Sequence, residues 1–175
     1  MKSIEGNFDN PEVDKLLKNH FIELRSVSPA GSTHVLDIDG LKDSSIKFWS
    51  LWENEKLAGC GALKFLDESH GEFKSIRVAD LYRGKGYGKK IIAHLIEEAK
   101  KLKIKRISIE TGSGEFFKSA RKLFKNFGFK EHKDVIMLGG HNVYDNENKK
   151  SKACEKAKIP CLACLLIWTC SLIEK

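Results

Sequence analysis

The stretch Val78-Ala79-Asp80-Leu81-Tyr82-Arg83-Gly84-Lys85-Gly86-Tyr87-Gly88-Lys89-Lys90 joins an alternating strand to an amphipathic helix through three glycines at every second position. Glycine lets the backbone turn with positive φ and come close to a ligand. The first turn of a helix adds unpaired N–H groups and the positive end of its dipole. The join therefore predicts a cradle for a phosphate group, to which Arg83, Lys85, Lys89 and Lys90 bring positive charge. It is not a nucleotide P-loop, which needs a G-x-x-x-x-G-K-[ST] run, nor the G-x-G-x-x-G dinucleotide fingerprint.

The rest of the chain supplies a sheet and its covering helices. Asn10-Pro11-Glu12 is a helix start, with a capping side chain, a proline at the first helical position and an acid in the first turn. Val13, Leu16, Leu17, Phe21 and Leu24 then recur on one face, and His20 on the same stripe reads as a packed residue. Ser26 to Ser32 has the breakers of a loop, and Thr33 to Ile38 is expected as a short strand before an Asp39-Gly40 turn. Ile46 to Trp52 and Leu57 to Leu66 predict an antiparallel hairpin, and Glu72 to Val78 is the strand that delivers the chain to the glycine loop.

From Gly88 to Leu102 the apolar residues Ile91, Ile92, Leu95, Ile96, Ala99 and Leu102 share a helical face, and Ile104 to Glu110 follows as a strand. A strand–helix–strand order implies a parallel pair joined by a right-handed crossover. A further helix runs from about Glu115 to Asn126 and is closed by Gly128, after which Asp134 to Leu138 and His141 to Asp145 predict a last hairpin.

Read as Arg83-x-x-Gly86-x-Gly88 after a strand ending in Val78, the loop resembles the acyl-CoA pyrophosphate loop of the GNAT superfamily of N-acetyltransferases. A second landmark, Ala120-Arg121-Lys122-Leu123-Phe124-Lys125-Asn126-Phe127-Gly128-Phe129, is similar to that family's A-x-x-L-Y-x-x-x-G-F. Three more segments, His34 to Leu41, Gly59 to Leu63 and Ile109 to Gly112, look like its small bacterial YsnE-like branch. The resemblance covers roughly residues 10 to 147. It implies an α/β (mixed α+β) fold with a central mixed, mostly antiparallel sheet, one parallel splayed pair and flanking helices. It also implies acetyl-CoA as cosubstrate and direct transfer of acetyl to an amine of a small molecule, peptide or protein. By the same resemblance the pantetheine arm bonds the backbone at Ile76, Arg77 and Val78, while Arg83, Gly84, Lys85, Gly86, Tyr87, Gly88 and Lys89 hold the pyrophosphate. Phe124 stands where many relatives carry the tyrosine that protonates the leaving thiolate.

The reaction sets its own demands. A lysine-like amine arrives protonated, with a pKa of about 10.4, so a group must take its proton before it attacks a thioester. Glu72, at the start of the strand leading to the loop, and Glu110, at the end of its neighbour, are the two candidates. Each has an alternative reading as a rim carboxylate paired with Lys or Arg. Phenylalanine at 124 has no proton to give, so the acid falls to Tyr82, Tyr87, Ser113 or water, and the rival reading is a catalytically weak acyl-CoA-binding sensor. His34 follows a loop that suits acceptor recognition, but is read as structural.

Charge and cysteine usage narrow the class. Of the formal charge of +7, residues 148–175 hold six Lys against two Glu, which leaves only +3 elsewhere and argues for a basic tail rather than a nucleic-acid surface. No charged-then-apolar leader opens the chain and no apolar run reaches the length of a spanning helix, so the expected compartment is the cytosol. Cys60 stands alone in the body and Cys154, Cys161, Cys164 and Cys170 in the tail. That is no disulfide framework, and Cys161-x-x-Cys164 lacks the second half of a zinc site, so no metal is expected. The expected domain is 1–147, followed by a tail, 148–175, in which Ile159 to Ile173, taken as a helix, docks on the body, on a second copy or, as the less favoured alternative, on a membrane surface.

Overall fold

The structure is a computed structural model that describes residues 1–27, 36–132, 137–138, 141–142 and 165–172. Its elements run β1 (Lys2–Glu5), α1 (Pro11–Val27), α2 (Ile38–Leu41), β2 (Ile46–Glu53), β3 (Lys56–Phe65), β4 (His70–Val78), α3 (Tyr87–Lys101), β5 (Arg106–Gly112), α4 (Lys118–Asn126), β6 (Lys130–His132), β7 (Met137–Leu138), β8 (His141–Asn142) and β9 (Leu165–Ser171). Single 3₁₀ turns, Asp80–Tyr82 and Glu115–Phe117, precede α3 and α4.

The main sheet has seven strands in the order β1-β2-β3-β4-β5-β9-β6, and only β4 and β5 run parallel. The β2–β3 hairpin closes through Asn54 and Glu55, both at positive φ, which gives the two-residue turn whose twist suits paired strands. Helices α3 and α4 cover one face, where Ile91, Ile92 and Leu95 meet Leu63, Phe73, Ile107 and Ile109. On the other face α1 and α2 bring Val13, Leu17 and Leu41 onto Phe48, Cys60 and Ala62. Close approach of α3 depends on small residues beneath it. A Cβ on Gly59 would lie 2.6 Å from Ile91 Cδ1, and one on Gly61 would lie 2.7 Å from Leu95 Cδ1. The mixed fold with one parallel pair is the one expected.

Several expectations change. The first is at the N-terminus, where β1 pairs Lys2 to Glu5 with Trp52 to Trp49, a strand too short to leave a periodic signal. Ile38 opens the helical turn α2 instead of ending a strand. The Asp37 carboxylate accepts from the Gly40 N–H at 2.8 Å and caps the turn, so the local side-chain bond overrides the β-propensity. Thr33, Val35 and His34 lie outside the described residues. Of the last expected hairpin, Met137–Leu138 pairs with His141–Asn142 as a separate two-stranded sheet.

The largest correction concerns the tail. Leu165–Ser171 is a strand, not part of an apolar helix, and it lies inside the sheet between β5 and β6. Arg106 to Gly112 pair with Ser171 to Leu165, and Lys130 to His132 with Thr169 to Ile167. The sheet therefore does not close near residue 147. A short apolar run gives no periodicity that separates a buried strand from a helix, and only the two open strand edges decide between them. Trp168 at its centre is fully buried against Phe124, with Lys125 over its ring. Trp168→Ala should cost about 3–5 kcal/mol of stability, the usual range for an emptied aromatic site. Truncation before Leu165 should lower the thermal midpoint further, because it exposes two strand edges. A truncated chain that melts like the full chain would refute the central place of β9.

Candidate active site

The β4–β5 pairing runs His70–Arg106, Gly71–Ile107, Glu72–Ser108 and Phe73–Ile109, and then stops. Immediately beyond, Ser75 has φ +51 and the β3 register slips, so that Cys60 faces Arg77 while Ala62 faces Lys74. This bulge bends β4 away from β5, as an extra residue in one strand does. The two strands open onto a cavity of about 450 Å³, walled by both strand ends, α1, the glycine loop and the stretch from Phe116 to Phe124.

The glycine loop forms one rim. After the 3₁₀ turn, Gly84 and Gly86 sit at φ +72 and +82, and Gly86 is the N-cap of α3 with no side chain capping it. A Cβ on Gly84 or Gly86 would meet no atom within 4 Å, so these positions are open toward solvent and strained only in the backbone for any other residue. The uncapped helix start and two left-handed glycines fit an anionic diphosphate. Arg83 is exposed and bonded to Asp80 (3.0 Å) and Glu23 (3.4 Å), while Lys85 and Lys89 are exposed and do not wall the cavity. Tyr87 stacks edge-on against Tyr82, whose hydroxyl donates to the Glu53 carbonyl, and Lys90 lies over the Tyr87 ring. Gly88 packs beneath, its Cβ position 3.0 Å from Leu123. Ile76 and Val78 pack against the core under α3 and also wall the cavity.

The two carboxylates are brought together by a residue that sequence reasoning did not select. Lys74 Nζ lies 2.6 Å from Glu72 Oε1 and 3.0 Å from Glu110 Oε2, and all three side chains are largely buried. Of the three, Glu110 and Lys74 wall the cavity and Glu72 does not. Burial pushes the Glu72 carboxyl up, and Glu110 adds to this, although Lys74 opposes it. Burial alone would lower the Lys74 ammonium, but Glu110 and Glu72 more than offset it and hold it above its ordinary value. The signal available in the sequence was Glu72-x-Lys74 on one face of a strand whose parallel neighbour ends in Glu110.

Opposite them, α1 contributes His20 and Glu23. His20 is 7% exposed, walls the cavity, and has no hydrogen-bond partner at Nδ1 among the described residues. Burial, reinforced by the charge of Arg77, lowers its pKa from 6.5 to about 4. Arg77 turns its side chain toward α1, where it pairs with Glu23 and, at 3.7 Å, with Asp80. Phe124 lines the cavity and packs on Phe129 and Trp168. Ser113 is exposed and outside the cavity wall. Among the described residues no group of three His, Cys, Asp or Glu has metal-binding geometry, and no helix is long and apolar enough to cross a membrane. Cys154, Cys161 and Cys164 lie outside the described residues. Cys170 lies in β9 facing the Phe127 carbonyl, and Cys60 is fully buried.

A splayed parallel pair, a glycine loop at a helix start and a cavity between them form an opening with an anion-binding rim. The Acetyltransferase (GNAT) family profile matches residues 12–129, and this chain belongs to that family. It is 46% identical over 118 residues to the uncharacterised N-acetyltransferase YsnE of Bacillus subtilis, covering 67% of this chain and 78% of YsnE. Over 120 residues it is 39% identical to the uncharacterised N-acetyltransferase YedL of Escherichia coli, covering 69% of this chain and 76% of YedL. Its fold is similar to that of a Bacillus subtilis acetyltransferase solved in complex with CoA, with a TM-score of 0.64 at 19% identity, covering 98% of this chain and 99% of that one.

The neutral burial of His20 predicts a pH effect. Its folded pKa of about 4 lies below the 6.5 of the unfolded chain, so the unfolded state binds the proton more readily. The stability it contributes is complete above pH 6.5 and is lost as pH falls toward 4, amounting to about 3 kcal/mol at about 1.4 kcal/mol per pH unit. Denaturant unfolding of wild type and His20→Phe between these pH values should show that this slope disappears in the variant.

Proposed function

We propose that this chain is an acetyl-CoA-dependent N-acetyltransferase of the cytosol that passes acetyl directly to an amine, with no covalent enzyme intermediate. The observation that carries this reading is the end of β4–β5 pairing at Phe73 and Ile109, which opens a cavity beside the uncapped, glycine-led start of α3. Acetyl-CoA supplies the activated acyl group as a thioester. In this reading the first-turn amides of α3, the loop from Arg83 to Lys89 and the exposed lysines hold the pyrophosphate, and the backbone from Ile76 to Val78 receives the pantetheine arm. A Bacillus subtilis acetyltransferase of similar fold, solved in complex with CoA, supports CoA as the ligand.

The chain's own groups then divide the work. Glu110, on the cavity wall, takes the proton of the acceptor ammonium directly or through one water, and Lys74, 3.0 Å away, aims that carboxylate. Glu72 serves as the second anchor of Lys74 rather than as the base, because it does not wall the cavity. A backbone N–H near Val78 donates to the thioester oxygen as negative charge develops there. With phenylalanine at 124 and the Tyr82 hydroxyl engaged by Glu53, the leaving thiolate, with a thiol pKa of about 8.5, departs as its anion or takes a proton from water or Tyr87. The alternative of an acyl-CoA sensor rests on Phe124 alone. Thiol release from acetyl-CoA with a panel of amines decides between the two.

Two variants test the assignment. Gly86→Val forces a branched side chain into φ +82 at the helix start, so CoA affinity by calorimetry should fall by more than about tenfold while the fold, read by circular dichroism, persists. Unchanged affinity in a folded variant would remove the loop from the binding site. Glu110→Gln should reduce kcat by about a hundredfold or more, within the range typical of a lost general base, and should do so more strongly than Glu72→Gln. Equal losses from the two would mean that the ion-paired cluster, not one carboxylate, matters.

A further inference from the structure

The 3₁₀ turn that leads into the glycine loop sets two opposite charges on one side. At three residues per turn, positions i and i+3 come into line, so Arg83 Nε lies 3.0 Å from Asp80 Oδ1 while the Arg83 backbone N–H closes the turn on the Asp80 carbonyl. The turn is itself pinned, by the Ala79 N–H on the Ala58 carbonyl at 2.9 Å and by the Tyr82 hydroxyl on the Glu53 carbonyl at 3.3 Å. From α1, Glu23 Oε2 accepts from Arg83 Nη2 at 3.4 Å and also from Arg77 Nη1. Asp80 Oδ1 lies 3.7 Å from Arg77 Nη2, which closes a ring of two carboxylates and two guanidinia drawn from α1, β4 and the loop. Burial would raise the Glu23 carboxyl, but hydrogen bonding and charge from Arg77, and then from Arg83, outweigh it and hold the group below its ordinary value.

These contacts occupy one edge of Arg83. Nε and Nη2 meet carboxylates, whereas Nη1 has no partner among the described residues, and the side chain is 44% exposed where it walls the cavity beside Gly84 and Gly86. A guanidinium carries its five N–H donors in one rigid plane, so gripping the Nε–Nη2 edge fixes the direction of the Nη1 end. The loop lysines are not held in this way: Lys85 and Lys89 have no ion-pair partner among the described residues. Resting on the acetyltransferase reading above, we propose that Asp80 and Glu23 are positioning residues for the CoA diphosphate, gripping one edge of Arg83 so that its Nη1 end is presented to the anion at the glycine loop. The charge of Asp80 and its role have opposite signs. A carboxylate beside an anion site weakens anion binding by repulsion, whereas a carboxylate that aims an arginine strengthens it. The repulsion acts whether or not Arg83 is present, and the aiming acts only through Arg83.

The test is a double-mutant cycle on the full chain, with the Kd for CoA measured by calorimetry in wild type, Asp80→Ala, Arg83→Ala and the double variant. Asp80 is the side chain to change, because it is 79% exposed and its loss leaves the Arg77–Glu23 pair in place. The expected result is that Asp80→Ala raises Kd about two- to fivefold more in the chain that keeps Arg83 than in the chain that lacks it, the scale of one exposed ion pair. Asp80→Asn, which keeps an oxygen for Nε, should bring that ratio back toward one. A ratio of one or below for Asp80→Ala would mean that Asp80 only repels the ligand or competes with it for Arg83, and would overturn the proposal. So would a ratio that Asp80→Asn leaves unchanged. Absence of CoA binding by the wild-type chain would instead sink the acetyltransferase reading.

Discussion

The cavity exists because two parallel strands pair only over their first half. Four residue pairs hold β4 to β5 up to Phe73 and Ile109, and the bulge at Ser75 then turns β4 toward α1. Parallel strands buried on both faces normally stay paired along their length, since an unpaired backbone group away from water costs free energy. Here the unpaired edges face a cavity large enough for a ligand to satisfy them. The crossover through α3 places the helix start and its glycine loop at the mouth of the same opening, so the sheet defect and the anion site are parts of one device. Cys60 stabilises the bend from behind, its thiol facing the Ser75 carbonyl at 3.5 Å.

Charge inside this opening is organised in small closed groups. Lys74 stands between Glu72 and Glu110 on β4 and β5, and Arg77 stands between Glu23 on α1 and Asp80 in the loop. A buried ion is costly unless paired, and each of these has partners on a different element, so the pairs also fix where α1 and β5 sit relative to β4.

The sheet's far side is completed by a segment distant in sequence. Between β6 and β9 lie more than thirty positions, yet β9 pairs with β5 along its whole length and puts Trp168 under α4. Phe124 thereby belongs to the core as much as to the cavity, because its ring touches both Phe129 and Trp168.

Local chemistry was enough to read the glycine loop, the helix α1 from its Asn10-Pro11 start, the amphipathic face of α3 and the β2–β3 hairpin, because caps, turns and periodicity act over a few residues. Glu72 and Glu110 were likewise visible as carboxylates at the ends of adjacent strands. Which of them walls the cavity, and that Lys74 joins them, depended on strand register and on the Ser75 bulge, neither of which leaves a periodic mark. His20 reads in the sequence as one more residue of a packed stripe, and only the packing of α1 against β3 and β4 makes it part of the cavity wall. The apolar tail showed its need for burial but not its form. Hydrophobicity is a property of the segment itself, whereas strand or helix was decided by the open edges of β5 and β6 that waited to be paired.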